Sequence, residues 1–205
     1  MKISLFPQEN KSLEMLADMA ALFREGVTTL SEVLGAPAGQ YAELAEDLHR
    51  SDGRIFELHF ALLTHVRTSF ITPLPREDLY QISRSLVDGF EKLDGAAEIV
   101  ALNEVKRLSP RASELLEVIG LMSDLTVSAM GRLVSLVDLD EYCIDMLQLA
   151  KRANRTHRIW ISEDLRNLKQ ATYTAHREVA DLLVETVREL RRASSHVGQI
   201  LVKES

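Results

Sequence analysis

Apolar residues recur at spacings of three and four along almost the whole chain, and this periodicity constrains the fold more than any other feature. The first periodic segment contains Leu13, Leu16, Ala20, Phe23, Val27 and Leu30. Such spacing places an apolar stripe along one face of a helix, and the stripe has to be buried against other helices. Only 9 Gly and 5 Pro punctuate the 205 residues, which is few for a β-rich fold. The pattern therefore predicts an all-α protein.

Turn-forming residues divide the pattern into six helices. Gly35-Ala36-Pro37 ends the first helix, and Thr72-Pro73-Leu74-Pro75 separates the second from the third, because proline removes a backbone donor. Ser109 and Pro110 suit the N-cap and first position of a fourth helix. A weaker stretch at about 167–172 separates the fifth helix from the sixth. We predict an elongated antiparallel bundle of six long helices.

Charge and composition narrow the function. The formal net charge is -7, from 24 Lys+Arg and 31 Asp+Glu, so nucleic-acid binding is disfavoured. No apolar run reaches the ~18–20 residues of a membrane span, and residues 1–10 lack the apolar core of a signal peptide. We expect a cytoplasmic protein that can still lie peripherally at the inner face of the membrane. No P-loop, nucleophile elbow or dinucleotide-binding glycine motif is present in the sequence. We therefore predict that the protein is not an enzyme.

Several single residues have simple structural interpretations. Cys143 lies in an apolar helical pattern, which predicts a buried, unreactive thiol. His176 lies on an apolar stripe, which predicts a core histidine whose hydrogen bonds are satisfied. Asp138 and Asp140 lie where the fifth helix begins, which suits capping and a favourable interaction with the helix dipole. Glu46-x-x-His49 lacks the second copy that a di-iron bundle requires.

Acidic side chains at helical spacing are candidate metal ligands. Asp88, Glu91 and Asp94 lie three residues apart along the third helix, and clustered carboxylates suit Mg, Mn or Fe. Glu141 and Asp145, one turn apart, are a weaker pair of the same kind. In both cases the alternative is an ordinary solvated helix face, which spacing alone favours. The basic run 151–158 has two interpretations as well, a solvated face or a site for phosphate or an acidic partner.

The segment Ser69-Phe70-Ile71-Thr72-Pro73-Leu74-Pro75-Arg76-Glu77-Asp78-Leu79-Tyr80 resembles the most recognisable stretch of PhoU-like phosphate-transport accessory proteins. Those proteins carry Phe-x-Thr-Pro-x-Asp-Arg-Glu-Asp-Ile here, so Pro75 departs from the pattern. The helix order matches as well, and Val202–Ser205 is similar to the tail of actinobacterial members. The resemblance implies one domain over 1–205 with two three-helix repeats, at about 9–108 and 110–202.

The same resemblance implies a function. It predicts a non-enzymatic accessory or regulatory protein for inorganic phosphate transport, which binds a membrane phosphate transporter or a PhoU-like paralogue. Homo-oligomerisation is a further open possibility. Two alternatives remain: a metal-binding helical protein for Fe, Mn or Zn, and a purely structural oligomerisation partner.

The resemblance also implies metal motifs in the first half, of the forms Glu-x-x-x-Asp and Asp-Asp-x-x-Asp. The first falls on Asp52 and Phe56, so one ligand position is apolar. The second falls on Val87, Asp88 and Glu91, and the glutamate of the next turn falls on Asp94. The implied metal residues are therefore Asp52, Asp88, Glu91 and Asp94. The expected cofactor is therefore at most a divalent or iron-type metal ion bound by these residues.

In the second half the same motifs fall on residues that cannot act as the usual ligands. They fall on Ala150, Asn154, Val184 and Arg188. Arg188, together with Arg152, would place positive charge where the family places metal. We expect an arginine–carboxylate network or an anion site there.

Overall fold

A computed structural model of the protein describes residues 10–105 and 107–204, and within these ranges it contains helices and no strand. The all-α prediction is confirmed, and so is the number of long helices. The helices are α1 (Lys11–Gly35), α2 (Tyr41–Thr68), α3 (Arg76–Leu102), α4 (Pro110–Arg132), α5 (Leu139–Asn167) and α6 (Gln170–Glu204). A short 3-10 turn, Ala38–Gln40, leads into α2.

Local chemistry explains where the helices begin. The Ser109 hydroxyl accepts a hydrogen bond from the Arg111 backbone N–H at 3.2 Å, and Pro110 occupies the first position of α4, as predicted. Pro75 is the N-cap of α3. The break between α5 and α6 is shorter than predicted, because only residues 168–169 lie outside the two helices.

Asp138 occupies the N-cap position of α5, as predicted, but its side chain does not cap the helix. Asp138 precedes α5, but its backbone is left-handed, with φ 55° and ψ 30°, and its side chain forms no capping hydrogen bond. A capping side chain needs an extended backbone to reach the N–H groups of the first turn. The Asp138 carbonyl instead accepts a hydrogen bond from Arg132 Nη1 at 3.0 Å, which links the end of α4 to the start of α5.

The helices pack as two groups of three. Helices α1, α2 and α3 contact one another, α4, α5 and α6 do likewise, and the groups join through α3 against α6 and α1 against α4. In the core Phe23 and Phe90 meet edge to face with ring centroids 5.9 Å apart. Gly26 lies against this pair, since a Cβ atom there would stand 2.5 Å from the Phe90 ring. The division into two repeats with the stated boundaries stays a prediction.

Across the described ranges, none of the helices combines the length and the apolar character needed to cross a bilayer. The expected absence of a signal-peptide core concerns residues 1–10, and residues 1–9 lie outside the described residues. The last residue of the tail at 202–205 lies outside them as well.

Candidate functional site

The first candidate site is the acidic face between α2 and α3. Asp94 Oδ2 accepts a hydrogen bond from His49 Nδ1 at 2.9 Å, and this bond raises the pKa of His49. Burial raises the pKa of Asp52, and the nearby charges of Asp94 and Glu91 raise it further. Asp52 Oδ1 is buried without a hydrogen-bond partner among the described atoms. The structure therefore brings three of the four predicted metal residues into electrostatic contact.

The fourth predicted residue, Asp88, is already paired. Arg84 Nη2 lies 2.7 Å from Asp88 Oδ1, one helical turn away on α3. Glu189 of α6 faces the same region: burial raises its pKa, Arg192 lowers it, and the Asp88 charge raises it again. Sequence reasoning missed Glu189, because nothing in the pattern of α6 shows that this residue meets α3.

The fit of a metal ion to this face can be tested on the geometry. Among residues 10–105 and 107–204, no three His, Cys, Asp or Glu side chains are arranged to hold a metal ion. At the apolar motif position, Phe56 lies half exposed and contacts Phe60, with ring centroids 4.7 Å apart. As placed, the described side chains do not form a metal site. Binding through Asp52, Asp88, Glu91 and Asp94 would need a rearrangement and stays a prediction.

The arginines of the second half lie in separate ion pairs. Arg152 Nη2 donates to Glu117 Oε1 at 3.0 Å, across from α5 to α4. Arg188 Nη1 donates to Glu185 Oε1 at 3.2 Å, within α6. The two guanidinium groups thus bind different carboxylates, and both are about half exposed. Ala150 and Val184, where the resemblance places ligands, are buried in the core.

The basic run of α5 contributes one further contact to α6. His157 Nε2 lies 2.7 Å from Asp181 Oδ1, and Arg177 Nε lies 3.4 Å from the other oxygen of the same carboxylate. Arg155 and Arg158 are exposed. The run is therefore partly a solvated face and partly a connection between the two helices.

A second candidate site, unexpected from the sequence, lies at the turn between α5 and α6. Asp164 Oδ2 accepts hydrogen bonds from Trp160 Nε1 at 2.6 Å and from His176 Nδ1 at 2.7 Å. All three residues are buried, with His176 only 4% exposed. We call Trp160, Asp164 and His176 the Asp164 network.

The prediction that His176 has its hydrogen bonds satisfied is wrong for one of its two nitrogens. Its Nε2 atom is buried and has no partner among the described atoms. An unpaired buried polar atom costs about 1–3 kcal/mol, so this position is a departure from ordinary core chemistry. The sequence could not predict the missing partner of Nε2, because an apolar stripe does not show which groups reach each ring nitrogen.

His176 also lines a cavity of about 570 Å³. The cavity lies where the connection from α3 to α4 meets the first two turns of α6, and its polar wall residues include Glu104, Arg107 and Thr172. Glu104 has a left-handed backbone, with φ 45°, which turns the chain at this point. The Arg107 and Thr172 side chains form no ion pair or hydrogen bond with any residue in the described ranges. The cavity wall therefore includes polar side chains that have no partner among the described residues.

The single cysteine has a different character. Cys143 is half-buried, and its Sγ donates to the Ser194 carbonyl at 3.5 Å. Burial raises the pKa of the thiol, which keeps it in the less nucleophilic form. The geometry agrees with the predicted unreactive thiol, although burial is only partial.

The described residues form an all-α bundle of six long helices, which pack as two groups of three. No family model matches the chain, and no curated protein is significantly similar to it. Among solved structures, the crystal structure of PhoU from Pseudomonas aeruginosa is similar, with a TM-score of 0.69 and 15% identity. The alignment covers 96% of this chain and 98% of that chain. At this identity the likeness shows the fold alone, and the fold is PhoU-like, as the resemblance in residues 69–80 implied.

Proposed function

We propose that this protein is a non-enzymatic accessory or regulatory protein of inorganic phosphate transport, and that it acts by binding a membrane phosphate transporter from the inner face of the membrane. The observation that carries the proposal is the PhoU-like fold together with the Phe-x-Thr-Pro segment in the connection between α2 and α3. Neither alone would suffice, since the same fold can carry unrelated functions.

The polar side chains of that segment form hydrogen bonds within the connection. Thr72 Oγ1 donates to the Leu74 carbonyl at 2.8 Å, and Arg76 Nη2 donates to the Ser69 carbonyl at 2.7 Å. Asp78, buried at the start of α3, accepts from Lys203 Nζ at 2.7 Å. The segment is thus held by hydrogen bonds within itself and by the contact of Asp78 with Lys203 near the C-terminal end of α6.

The apolar side chains at the tip of the segment point into solvent. Phe70 is fully exposed and Ile71 is mostly exposed. Large apolar side chains on a braced, exposed connection are typical of a contact surface, because they gain from burial at little cost in chain ordering. We assign this tip to the transporter contact.

Phosphate uptake tests this assignment. Cells that lack the protein should show altered uptake of labelled phosphate, and the full chain should restore normal uptake and co-purify with the transporter. The double variant Phe70→Ser/Ile71→Ser should melt like the wild type, because both side chains are exposed, yet lose both effects. The matched control is Leu165→Ser, which changes an exposed leucine on α5 and should keep both.

Two results would count against the proposal. If loss of the protein leaves phosphate uptake unchanged, the transport role fails. If the chain co-purifies only with a PhoU-like paralogue or with a second copy of itself, it is a structural partner instead.

Metal binding is the second candidate, and the like charges around Asp52 favour it, since a cation would relieve their repulsion. Elemental analysis and thermal shifts with Mg, Mn, Fe and Zn test it. Stoichiometric metal that disappears in Asp88→Ala and Glu91→Ala, but persists in Glu141→Ala, would establish the site. Glu141 is a suitable control because it is an exposed carboxylate on α5, remote in sequence from the cluster.

A further inference from the structure

We propose that the face of the α2–α3 hairpin that carries Phe56, Phe60 and Tyr80 binds a second copy of this chain in an antiparallel arrangement. Among the described residues, every exposed Phe, Tyr or Trp side chain lies on this hairpin, and the other side chains of these types are buried. The exposed ones are Phe56, Phe60, Phe70 and Tyr80. Apolar patches that remain exposed on a folded chain mark contact surfaces.

Three of these side chains form one continuous surface, which we call the aromatic face. Phe56 and Phe60 lie one turn apart on α2 and meet with ring centroids 4.7 Å apart. His59 connects them to α3, because its ring centroid lies 6.1 Å from that of Phe60 and 6.0 Å from that of Tyr80. Phe56, Phe60 and Tyr80 are each about half exposed, so a partner that covers them removes apolar area from water.

Charges of opposite sign flank the aromatic face. On the side away from the α2–α3 connection lie Asp52, Glu91 and Asp94, whose charges act on one another. On the side toward the connection lies Arg67, which is exposed and forms no ion pair or hydrogen bond with another described residue. Residues 58–76, which contain Arg67, are the longest stretch of the chain without an acidic residue.

On α2 these charges lie on the same side as the aromatic face and at matching distances from its centre. Asp52 precedes Phe60 by eight residues, and Arg67 follows it by seven. At 100° per residue, the three side chains fall within about 80° around the helix. At 1.5 Å per residue, each charge lies about 10–12 Å along the helix from Phe60.

The same polarity is present on α3. Ser83 marks the level of the centre on this helix, since its hydroxyl lies 3.0 Å from His59 Nδ1. Arg76 precedes Ser83 by seven residues and Glu91 follows it by eight, and both are exposed. The hairpin is therefore basic near its connection, aromatic in the middle and acidic beyond.

A two-fold axis that crosses both helices at this level, in the plane of contact, reverses the helix direction of the second copy. It places Arg67 of one copy against Asp52 of the second, and Arg76 against Glu91, while the aromatic faces meet at the centre. A two-fold interface uses the same patch on both copies, so the patch has to complement itself, as this one does. A surface of anionic lipids would attract the arginines but repel the carboxylates, so it is the poorer match.

Sedimentation equilibrium of the full chain tests the proposal. The wild type should dimerise, and Phe56→Ser/Phe60→Ser should raise the dissociation constant by about a hundredfold or more, because the buried apolar area is lost. The matched control is Ile144→Ser/Leu147→Ser, which changes two apolar side chains of similar exposure on α5. It should dimerise like the wild type, and both double variants should remain folded because the changed side chains are exposed.

Charge reversal tests the antiparallel arrangement. Asp52→Lys and Arg67→Glu each place like charges opposite one another, so each variant alone should dimerise about tenfold more weakly or less. An equal mixture of the two should restore the affinity, because both contacts of the mixed dimer again join opposite charges. Arg158→Glu, at an exposed position on α5, should dimerise like the wild type. If melting curves show that Asp52→Lys does not fold, Glu91→Lys with Arg76→Glu repeats the test at exposed residues.

Three results would overturn the proposal. These are a chain that stays monomeric at submillimolar concentration, a dimer that Phe56→Ser/Phe60→Ser leaves intact, and a mixture of the reversed variants that associates no more tightly than either alone. A monomer that floats with vesicles of anionic lipid, and loses this in Phe56→Ser/Phe60→Ser, would assign the aromatic face to a membrane instead. Dimerisation is measured on the purified chain and phosphate uptake in cells, so this proposal and the proposed function fail separately.

Discussion

The α2–α3 and α5–α6 hairpins hold the same place in the order of their three-helix groups, but they bury side chains of different chemistry. In the register that the resemblance implies, Asp52 corresponds to Ala150 and Val87 to Val184. The residues of the first hairpin that then correspond to Trp160, Asp164 and His176 are Leu62, Val66 and Leu79. All three of these counterparts are buried and apolar.

This difference indicates that packing alone does not require the Asp164 network. Replacing buried polar pairs by apolar side chains of similar volume is often neutral or stabilising in proteins. The first hairpin shows that apolar side chains fill such a position in this bundle. Among the described residues, one nitrogen of this buried network has no hydrogen-bond partner, so stability alone does not explain the network.

The largest effect should come from breaking the network in one place. Asp164→Val leaves Trp160 Nε1 and His176 Nδ1 buried without their acceptor, so we expect a loss of about 3 kcal/mol in the free energy of unfolding. Chemical denaturation measures it. The triple variant Trp160→Phe/Asp164→Val/His176→Leu, which copies the apolar chemistry of the first hairpin, should recover most of the loss. A triple variant as unstable as the single one would show that the network is needed for packing.

The next effect concerns the close packing of α1 against α3. Gly26→Ala on α1 should cost about 2 kcal/mol, because the added Cβ would stand 2.5 Å from the buried Phe90 ring. Gly120→Ala on α4 is the matched control, since its Cβ position has no described heavy atom within 4 Å apart from its chain neighbours and its own helix backbone. It should stabilise the protein by up to about 1 kcal/mol. Equal effects of the two substitutions on the melting temperature would contradict the close approach at α1.

A smaller effect should come from the brace between α3 and α6. Asp78 is 2% exposed, so Lys203→Met leaves a buried carboxylate without its cation, and we expect a loss of about 1 kcal/mol. Thermal denaturation of this variant is compared with Lys169→Met, which changes an exposed lysine between α5 and α6. If Lys169→Met destabilises the protein equally, loss of positive charge in general would be the cause.

The smallest effect should depend on pH. The folded-state pKa of Asp52 is raised above its ordinary value, first by burial and then by Asp94 and Glu91. The stability linked to Asp52 is therefore full below the unfolded-state pKa and is lost as pH rises through the folded-state pKa. Asp52→Asn should stabilise the protein at neutral pH by less than about 1 kcal/mol, and the gain should vanish in acid.

Melting curves at several pH values test this, with the exposed Asp18→Asn on α1 as control. A variant less stable than wild type at neutral pH would mean that ionised Asp52 makes a favourable contact. Added divalent metal should stabilise wild type more than Asp52→Asn if the acidic face binds a cation.

The sequence was informative wherever structure depends on neighbours along the chain. The cap at Ser109 and Pro110 and the end of α1 at Gly35 follow from backbone hydrogen bonding and allowed φ values, which are local. Asp138 is the exception, because a left-handed backbone set by its surroundings prevented capping. The segment 69–80 also pointed to the fold that the comparison with PhoU then showed.

The site depended on contacts that no local pattern encodes. That Asp88 pairs with Arg84 follows from helical spacing, but that Glu189 meets Asp88, or that Lys203 reaches Asp78, depends on how α3 packs against α6. The sequence by itself determined six helices, because periodicity and turn residues act over a few positions. Only the tertiary structure decided that His176 binds Asp164 through one nitrogen and leaves the other without a partner among the described residues, because that outcome depends on which helix faces meet.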